Sequence, residues 1–231
     1  MANRSRLGKA TRRRGRGTVA ARGPMLEVLR QRIASHELPP GSRLPEHDLA
    51  SEFGVSRARV REVFGILEVH SLIERIPNRG AVVVRLDLKQ AQELFDIREM
   101  LEGLSARLAA EKVAGESWQD LAELFGKPAE EAVRQGDLET YLAAVELLRR
   151  RMIAAADNVL LANLLDRLDD RIQVLMRRIV ILPGRIKLGL GEHRALVKAL
   201  VQGKADEAER LKRANIRSAR ECLLRYQNLV F

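Results

Sequence analysis

The feature that most constrains the fold is the spacing of apolar residues beyond Leu88. They recur at intervals of three and four, at Leu94, Ile97, Leu101, Leu104 and Leu108. This spacing is typical of a long helix that packs against partner helices. No strand-like segment follows it, and only 3% of the residues are aromatic, which favours helices over aromatic-rich sheets. The C-terminal part of the chain is therefore predicted to be all-α.

Turn-forming residues divide this region into roughly six helices. The breaks fall at Gly115, Gly126-Lys127-Pro128, Gly136, Asp157-Asn158, Pro183-Gly184 and Gly203. A chain of 231 residues is long enough for one large or two modest domains. We expect residues 87–231 to form an all-helical bundle.

Residues 24–86 show a different pattern, with three short helices followed by a hairpin. The second helix is broken by Gly54, and Ser56 is a suitable N-cap for the third. Residues 72–76 and 81–85 are strand-like and flank a glycine-containing turn at 77–80. Three helices and a hairpin predict a winged helix-turn-helix, so the expected fold class is mainly α with this domain preceding the helical bundle.

The net charge of +10 is concentrated at the N-terminus. Residues 1–23 hold eight basic and no acidic side chains, whereas the other 208 residues hold 33 basic and 31 acidic ones. A segment of this composition is predicted to be disordered. It is either a solubilising leader or a tail that binds phosphates without reading sequence.

Several classes of protein are disfavoured. A single cysteine, Cys222, cannot form an intrachain disulfide framework or a cysteine-based metal centre. No apolar run approaches the length of a membrane span, and no signal peptide is visible, so a cytoplasmic protein is expected. We find no catalytic triad order and no phosphate-binding loop. A helical enzyme with a DNA-binding module therefore lacks candidate catalytic residues.

The third helix carries Arg57, Arg59 and Arg61 opposite its apolar face. In a helix-turn-helix the start of this helix enters the major groove, where arginines reach phosphates or guanine edges. On an arbitrary helix, three arginines are better explained as a solvated surface. Here the Ser56 cap, the glycine turn and a hairpin with Arg79 at its tip agree independently, so DNA binding is favoured.

These residues resemble a known family. PPGSRLPEHDLASEFGVSRARVREVFGILEVHSLIERIPNRGAVV, residues 39–83, is similar to the DNA-binding domain of GntR-type bacterial transcription regulators. LFDIREMLEGLSARLAAE at 94–111 and EHRALVKALVQGKADEAERLKRANI at 192–216 resemble the opening and closing segments of the FCD ligand domain found in one branch of that family. Together the resemblances span residues 24 to 220.

The resemblance implies a set of DNA-contacting residues. With the candidates from the recognition helix, the set is Arg43, Ser56, Arg57, Arg59, Arg61, Asn78, Arg79 and Gly80. Arg59 departs from the family, which usually has proline there, and so changes the groove-facing surface. His70-Ser71 replaces the common Glu-Gly, and we interpret His70 as a polar residue at a helix end.

The resemblance also implies a metal site made of one aspartate and three histidines. In this sequence those four positions hold Val145, Arg149, His193 and Asn215, so only His193 remains. One ligand is too few for tight binding of a divalent ion. We therefore expect no metal and no cofactor.

Four polar residues, Arg98, Arg149, His193 and Asn215, each interrupt an apolar helix face. Each alone has an ordinary explanation: Arg98 can pair with Glu102 one turn on, and Leu148 rather than Arg149 can be the core residue. Together, on helices that the family uses for its pocket, they predict an effector-binding cavity. Arg149 and Arg98 would grip a carboxylate, with His193 and Asn215 as hydrogen-bond partners.

The sequence thus predicts a homodimeric regulator that binds a palindromic double-stranded DNA operator and a small organic acid effector. The alternative is a structural, nucleoid-associated DNA-binding protein that acts without a ligand and keeps only a vestigial pocket.

Overall fold

A computed structural model describes residues 22–230, so the prediction for the basic tail lies, apart from its last two residues, outside the described part of the chain. The N-terminal domain consists of α1 (Arg22–Ala34), β1 (Arg43–Leu44), α2 (Glu46–Glu52), α3 (Arg57–Val69), β2 (Ile73–Ile76) and β3 (Gly80–Val83). The predicted winged helix-turn-helix is confirmed. Helix α1 begins two residues before the expected start of the domain.

The turn between α2 and α3 sets the position of the recognition helix α3. Gly54 has a φ of +60°, a conformation that glycine adopts without strain. The Ser56 side chain then accepts a hydrogen bond from the Arg59 backbone N–H at 3.2 Å, which caps α3 as predicted. The apolar face of α3 is buried in the domain core: Val60, Val63, Phe64 and Leu67.

The wing has three strands where the sequence predicted two. Strand β3 lies in the middle and pairs antiparallel with β2 on one side and β1 on the other. In the β1 register, Arg43 lies opposite Val82 and Leu44 opposite Ala81. The two-residue β1 is too short to leave an alternating pattern, which is why the prediction missed it.

The C-terminal domain is helical throughout its described residues. It consists of α4 (Leu88–Lys112), a short 3₁₀ helix (Gly115–Trp118), α5 (Gln119–Leu124), α6 (Lys127–Gln135), α7 (Leu138–Ala155), α8 (Val159–Val180), α9 (Arg185–Val201), α10 (Ala205–Arg225) and α11 (Gln227–Val230). The predicted breaks are present. The short α5 and α11 raise the number of α-helices between residues 88 and 230 to eight, above the six expected.

Local sequence explains where the long helices begin. Asp87 and Gln90 form a reciprocal capping box at the start of α4. The side chains of Asp137 and Asn158 cap α7 and α8 in the same way that Ser56 caps α3. These caps fix the ends of the helices that surround the central part of the bundle.

Helix α4 is the centre of the bundle and packs against α7, α8, α9 and α10. One apolar core joins α4, α7 and α9 with the fully buried Trp118 and Phe125. A second joins Phe95 of α4 with α8 and α10. The N-terminal domain meets the bundle at α8, which packs against α1. No helix in residues 22–230 is long and apolar enough to cross a membrane.

Candidate functional site

The recognition helix presents Arg57 and Arg61 on its exposed side. Their side chains are 60% and 54% exposed, and both guanidinium groups contact the Glu46 carboxylate, at 3.4 and 2.9 Å. Partial burial works against ionisation of Glu46, but the hydrogen bonds from Arg61 and Arg57 outweigh it and lower its pKa. Ion pairs this exposed are weak. A DNA phosphate or base edge can therefore replace Glu46 at little cost.

Arg59 is placed differently from its two neighbours. Its side chain is only 10% exposed, and its Nη1 donates to Glu62 Oε2 at 2.7 Å. The guanidinium therefore lies against its own helix rather than projecting towards the solvent as Arg57 and Arg61 do.

The tip of the wing is exposed and held by backbone geometry. Asn78 and Gly80 have φ values of +64° and +80°, which produce the tight turn between β2 and β3. The Arg43 Nε donates to the Arg79 carbonyl at 2.9 Å and so ties β1 to the wing tip. The structure thus brings Arg43, Asn78, Arg79 and Gly80 together at one edge of the domain.

A narrow cavity lies inside the C-terminal domain, and we call it the central cavity. It is small: the space that a water-sized sphere can occupy is about 20 Å³, so a ligand larger than a water molecule must displace side chains of the wall. Side chains of α4, α7, α8, α9 and α10 line it: Arg98, Leu142, Val145, Glu146, Arg149, Ile172, Gln173, Met176, His193, Lys212 and Asn215. All four residues that the sequence singled out for an effector site, Arg98, Arg149, His193 and Asn215, are buried and lie in this wall.

Arg149 turns into the cavity wall, while Leu148 packs in the apolar core. The Arg149 Nε contacts Glu146 Oε2 at 3.0 Å, and its Nη2 pairs with Asp169 on α8. The buried Nη1 has no hydrogen-bond partner among the described residues. Buried donors are rarely left unpaired, so one edge of this guanidinium remains available to an acceptor.

Arg98 pairs with Glu102, as its spacing predicted, through a 2.8 Å contact that is almost fully buried. Lys212, which sequence reasoning missed, approaches the other Glu102 oxygen at 2.8 Å. Burial alone would raise the pKa of Glu102, but the cations Arg98, Lys212 and Arg149 hold it well below its usual value. Burial lowers the pKa of Lys212, and Glu102 opposes this effect. Lys212 lies one turn before Asn215 on the same face of α10. This spacing was the signal in the sequence that could have identified Lys212 as a site residue.

His193 is buried and uncharged. Its Nδ1 lies 3.1 Å from the Tyr141 hydroxyl, and its ring lies 5.5 Å from that of Phe125. Burial, with the neighbouring cations Lys212 and Arg185, lowers the pKa of His193 to about 3. The imidazole is therefore neutral at physiological pH and can exchange hydrogen bonds without contributing charge.

Asn215 joins the cavity to a second buried ion pair. Its amide nitrogen donates to Glu192 Oε2 at 2.7 Å, and the same oxygen accepts from Arg185 Nη2 at 2.8 Å. This network fixes the side chain of Asn215 at the cavity wall.

The donor set does not fit a divalent metal. Val145 offers no ligand atom, and a guanidinium stands at the Arg149 position, where its charge together with that of Lys212 opposes a second cation. In residues 22–230 no group of three or more His, Cys, Asp or Glu side chains is arranged to hold a metal ion.

Comparison with known proteins agrees with both domains. Residues 26–83 match the family described as bacterial regulatory proteins, gntR family, and residues 93–218 match the FCD domain. A probable D-xylose utilization operon transcriptional repressor of Paenarthrobacter nicotinovorans is 28% identical over 201 residues, 86% of each chain. The HTH-type transcriptional regulator YdhC of Bacillus subtilis is 27% identical over 87% of this chain and 84% of its own.

A solved structure has the same fold. The Escherichia coli protein McbR/YncC superposes with a TM-score of 0.76 at 21% identity, over 91% of this chain and 99% of that one. The family matches, which cover both domains, carry the assignment. The chain belongs to the GntR family of bacterial regulatory proteins, in the branch with an FCD domain, and is a DNA-binding transcription regulator.

Proposed function

We propose that this regulator is a homodimeric repressor that binds a palindromic operator, and that a small organic acid in the central cavity, held without a metal, changes its operator affinity. Repression is supported by the similarity to the xylose operon repressor and to the gluconate operon repressor of Bacillus subtilis, which is 43% identical over 74 residues, 32% of this chain. The observation that carries the effector is Arg149, a buried guanidinium with an open donor edge.

A carboxylate is the ligand that matches this arrangement. A guanidinium holds a carboxylate through two parallel hydrogen bonds, and such charge-assisted bonds are strong away from water. Glu146 and Asp169 already balance the charge of Arg149. An acid effector therefore binds either at the open Nη1 or by replacing one of these two carboxylates.

The neighbouring groups suit an acid that also carries hydroxyl groups. The neutral His193 and the Tyr141 hydroxyl exchange hydrogen bonds at 3.1 Å, and the amide of Asn215 lies in the same wall. The Lys212 ammonium adds a third cation to the cavity wall, beside Arg149 and Arg98. A permanent cation at residue 149 supplies the positive charge that a metal would otherwise give to an acid ligand.

The test begins with a thermal-shift screen of organic acids, amino acids and sugar acids, with and without divalent metals. The acid with the largest shift is then titrated into the wild type, Arg149→Ala and Arg150→Ala. Arg150 is the matched control because it neighbours Arg149 and contacts the same Glu146 but is 69% exposed. Loss of a buried charged hydrogen-bond donor should raise the Kd roughly ten- to hundredfold in Arg149→Ala alone.

Two results would defeat this proposal. Undiminished acid binding by Arg149→Ala would remove the role given to the guanidinium. Stoichiometric zinc, nickel or manganese retained by the purified protein after mild chelation would contradict metal-free binding.

An apolar surface supports the dimer. Ile97 and Met100 on α4 are 52% and 55% exposed, and Leu160 on α8 is 71% exposed. Helices α4 and α8 pack against each other beside these positions. We expect Met100→Glu and Leu160→Glu to sediment as monomers, while Leu188→Glu, which alters an exposed leucine on α9, remains a dimer. A monomeric wild type would contradict the assignment.

A further inference from the structure

Helix α8 carries two stripes of side chains that contact two different parts of the molecule. Towards the bundle, Asp169 pairs with Arg149, and Ile172, Gln173 and Met176 line the central cavity. The second stripe begins one residue later and lies on the adjacent face of α8. Its members contact the N-terminal domain and recur at intervals of four: Asp170, Val174 and Arg178. A single rigid element therefore connects the cavity to the DNA-binding domain.

The contacts of the second stripe reach the recognition helix. Asp170 Oδ2 lies 3.1 Å from Arg30 Nε of α1 and 3.1 Å from His70 Nδ1, and His70 is the C-cap residue of α3. The Asp170 side chain is 12% exposed. Burial raises the pKa of Asp170, while Arg30 and His70 act in the opposite direction. The ionised form of the Asp170 carboxylate is thus stabilised by its two partners in the N-terminal domain.

The rest of the stripe strengthens the same contact. Val174 packs against the apolar core of the N-terminal domain. Arg178 Nε donates to His36 Nε2 at 3.0 Å, just beyond the end of α1. Burial and the adjacent Arg178 and Arg177 lower the pKa of His36, so its ring accepts this hydrogen bond in the neutral form.

We propose that the adjacent carboxylates Asp169 and Asp170 couple the central cavity to the recognition helix. An acid that takes Arg149 from Asp169 releases one contact between α8 and α7, while Gln173–Glu146 and Arg177–Glu139 remain. The resulting shift of α8 reaches α3 through Asp170 and His70. Packed interfaces convert small displacements into a change of arrangement rather than absorbing them. The released state holds the DNA-binding domain less firmly and has the lower operator affinity. This mechanism rests on the proposed acid-binding function.

The coupling can be measured without any effector by a double-mutant cycle. The probe is a DNA duplex that the wild-type protein selects from a random-sequence library. Asp169→Asn breaks the ion pair with Arg149, which keeps Glu146 as a partner. We expect Asp169→Asn to raise the Kd for this duplex about fivefold or more. In an Asp170→Asn background the same substitution should have little further effect.

Asp166→Asn is the matched control, since it removes the same charge from an exposed position of α8. The Asp166 charge only opposes ionisation of Asp170, so its loss keeps the Asp170 contacts in place and should leave the Kd close to that of the wild type. Circular dichroism melting shows whether each variant folds. Should Asp170→Asn not fold, Arg30→Gln breaks the same contact from the N-terminal domain and completes the cycle.

Unchanged DNA affinity of Asp169→Asn would overturn the proposal, and so would an equal fold-change in both backgrounds. The cycle uses no acid, so its outcome is independent of the acid titration. Undiminished acid binding by Arg149→Ala would refute the effector site, and a negative result in the cycle would refute the coupling through α8.

Discussion

Two arginines of the recognition helix and two of the central cavity place the same type of side chain in opposite environments. Arg57 and Arg61 are more than half exposed and share the single acid Glu46. Arg98 and Arg149 are 3% and 6% exposed, and each contacts carboxylates inside the bundle. The first pair can exchange its acid for DNA with little loss of stability. The second pair needs another anion before it can leave its acid.

In the proposed function, this difference separates the arginines that contact DNA from those that bind a ligand. An exposed guanidinium keeps its hydration and contributes mainly when a phosphate or base arrives. A buried guanidinium is part of the fold, so a ligand that engages it must also rearrange the ion pairs around it. In the proposed function, a ligand in the cavity therefore changes the ion pairs of the bundle, and the recognition helix transmits that change to the DNA.

Replacing buried Arg98 should reduce stability far more than replacing exposed Arg61. Arg98→Met removes a cation and leaves Glu102 buried with Lys212 alone, which should lower the free energy of unfolding by about 3–5 kcal/mol. Arg61→Met should change it by no more than about 0.5 kcal/mol, because the side chain is exposed. Urea denaturation followed by circular dichroism measures both. Similar values for the two variants would show that burial does not distinguish these arginines.

We expect the exposed arginines, which contribute little to stability, to contribute strongly to DNA affinity. Arg57→Ala and Arg61→Ala should each weaken operator binding by about 1–3 kcal/mol, roughly five- to 150-fold. Arg79→Ala should weaken it through the wing. Arg134→Ala, an exposed arginine on α6 with its own acid Glu131, serves as the control in fluorescence anisotropy titrations.

Operator affinities that are equal for the parent and all three variants would refute the DNA-contact assignment. The same titrations on random DNA decide the alternative of a nucleoid-associated protein. Such a protein would show no sizeable affinity ratio between operator and random sequence.

The fold was largely predictable because local signals agreed with one another. Ser56 and Gly54 mark the helix-turn-helix, and Gly136 and Gly203 mark helix ends, where both adopt positive φ. Strand β1 was not predictable, since two residues carry no periodicity. It exists only because β3 supplies its hydrogen-bonding partner.

The candidate site was predictable only in part. Polar residues on apolar helix faces pointed to Arg98, Arg149, His193 and Asn215, and the fold brings all four into one wall. The ion pairs that engage them come from other helices, as Asp169 does, and sequence spacing cannot show contacts of that kind. For the same reason the sequence placed His70 merely at a helix end, whereas the structure also places it against Asp170.

Protonation of His193 in the cavity wall should give a smaller change in stability than the loss of Arg98. The pKa of His193 is about 3 in the folded protein, whereas an unfolded histidine titrates near 6.5. Below about pH 6.5 the unfolded chain therefore binds a proton that the folded protein excludes. Stability is fully present above that pH, and the free energy of unfolding falls by up to about 1.4 kcal/mol per pH unit as the pH decreases towards 5.

Urea denaturation of the wild type and His193→Gln between pH 7 and 5 measures this slope. The variant lacks the titrating ring, so its slope should be smaller. His36, whose pKa burial and Arg178 also lower, contributes to the part that remains. Equal slopes would mean that the imidazole is protonated inside the folded protein. The cavity would then hold one more cation, and an acid ligand would bind more tightly as the pH falls.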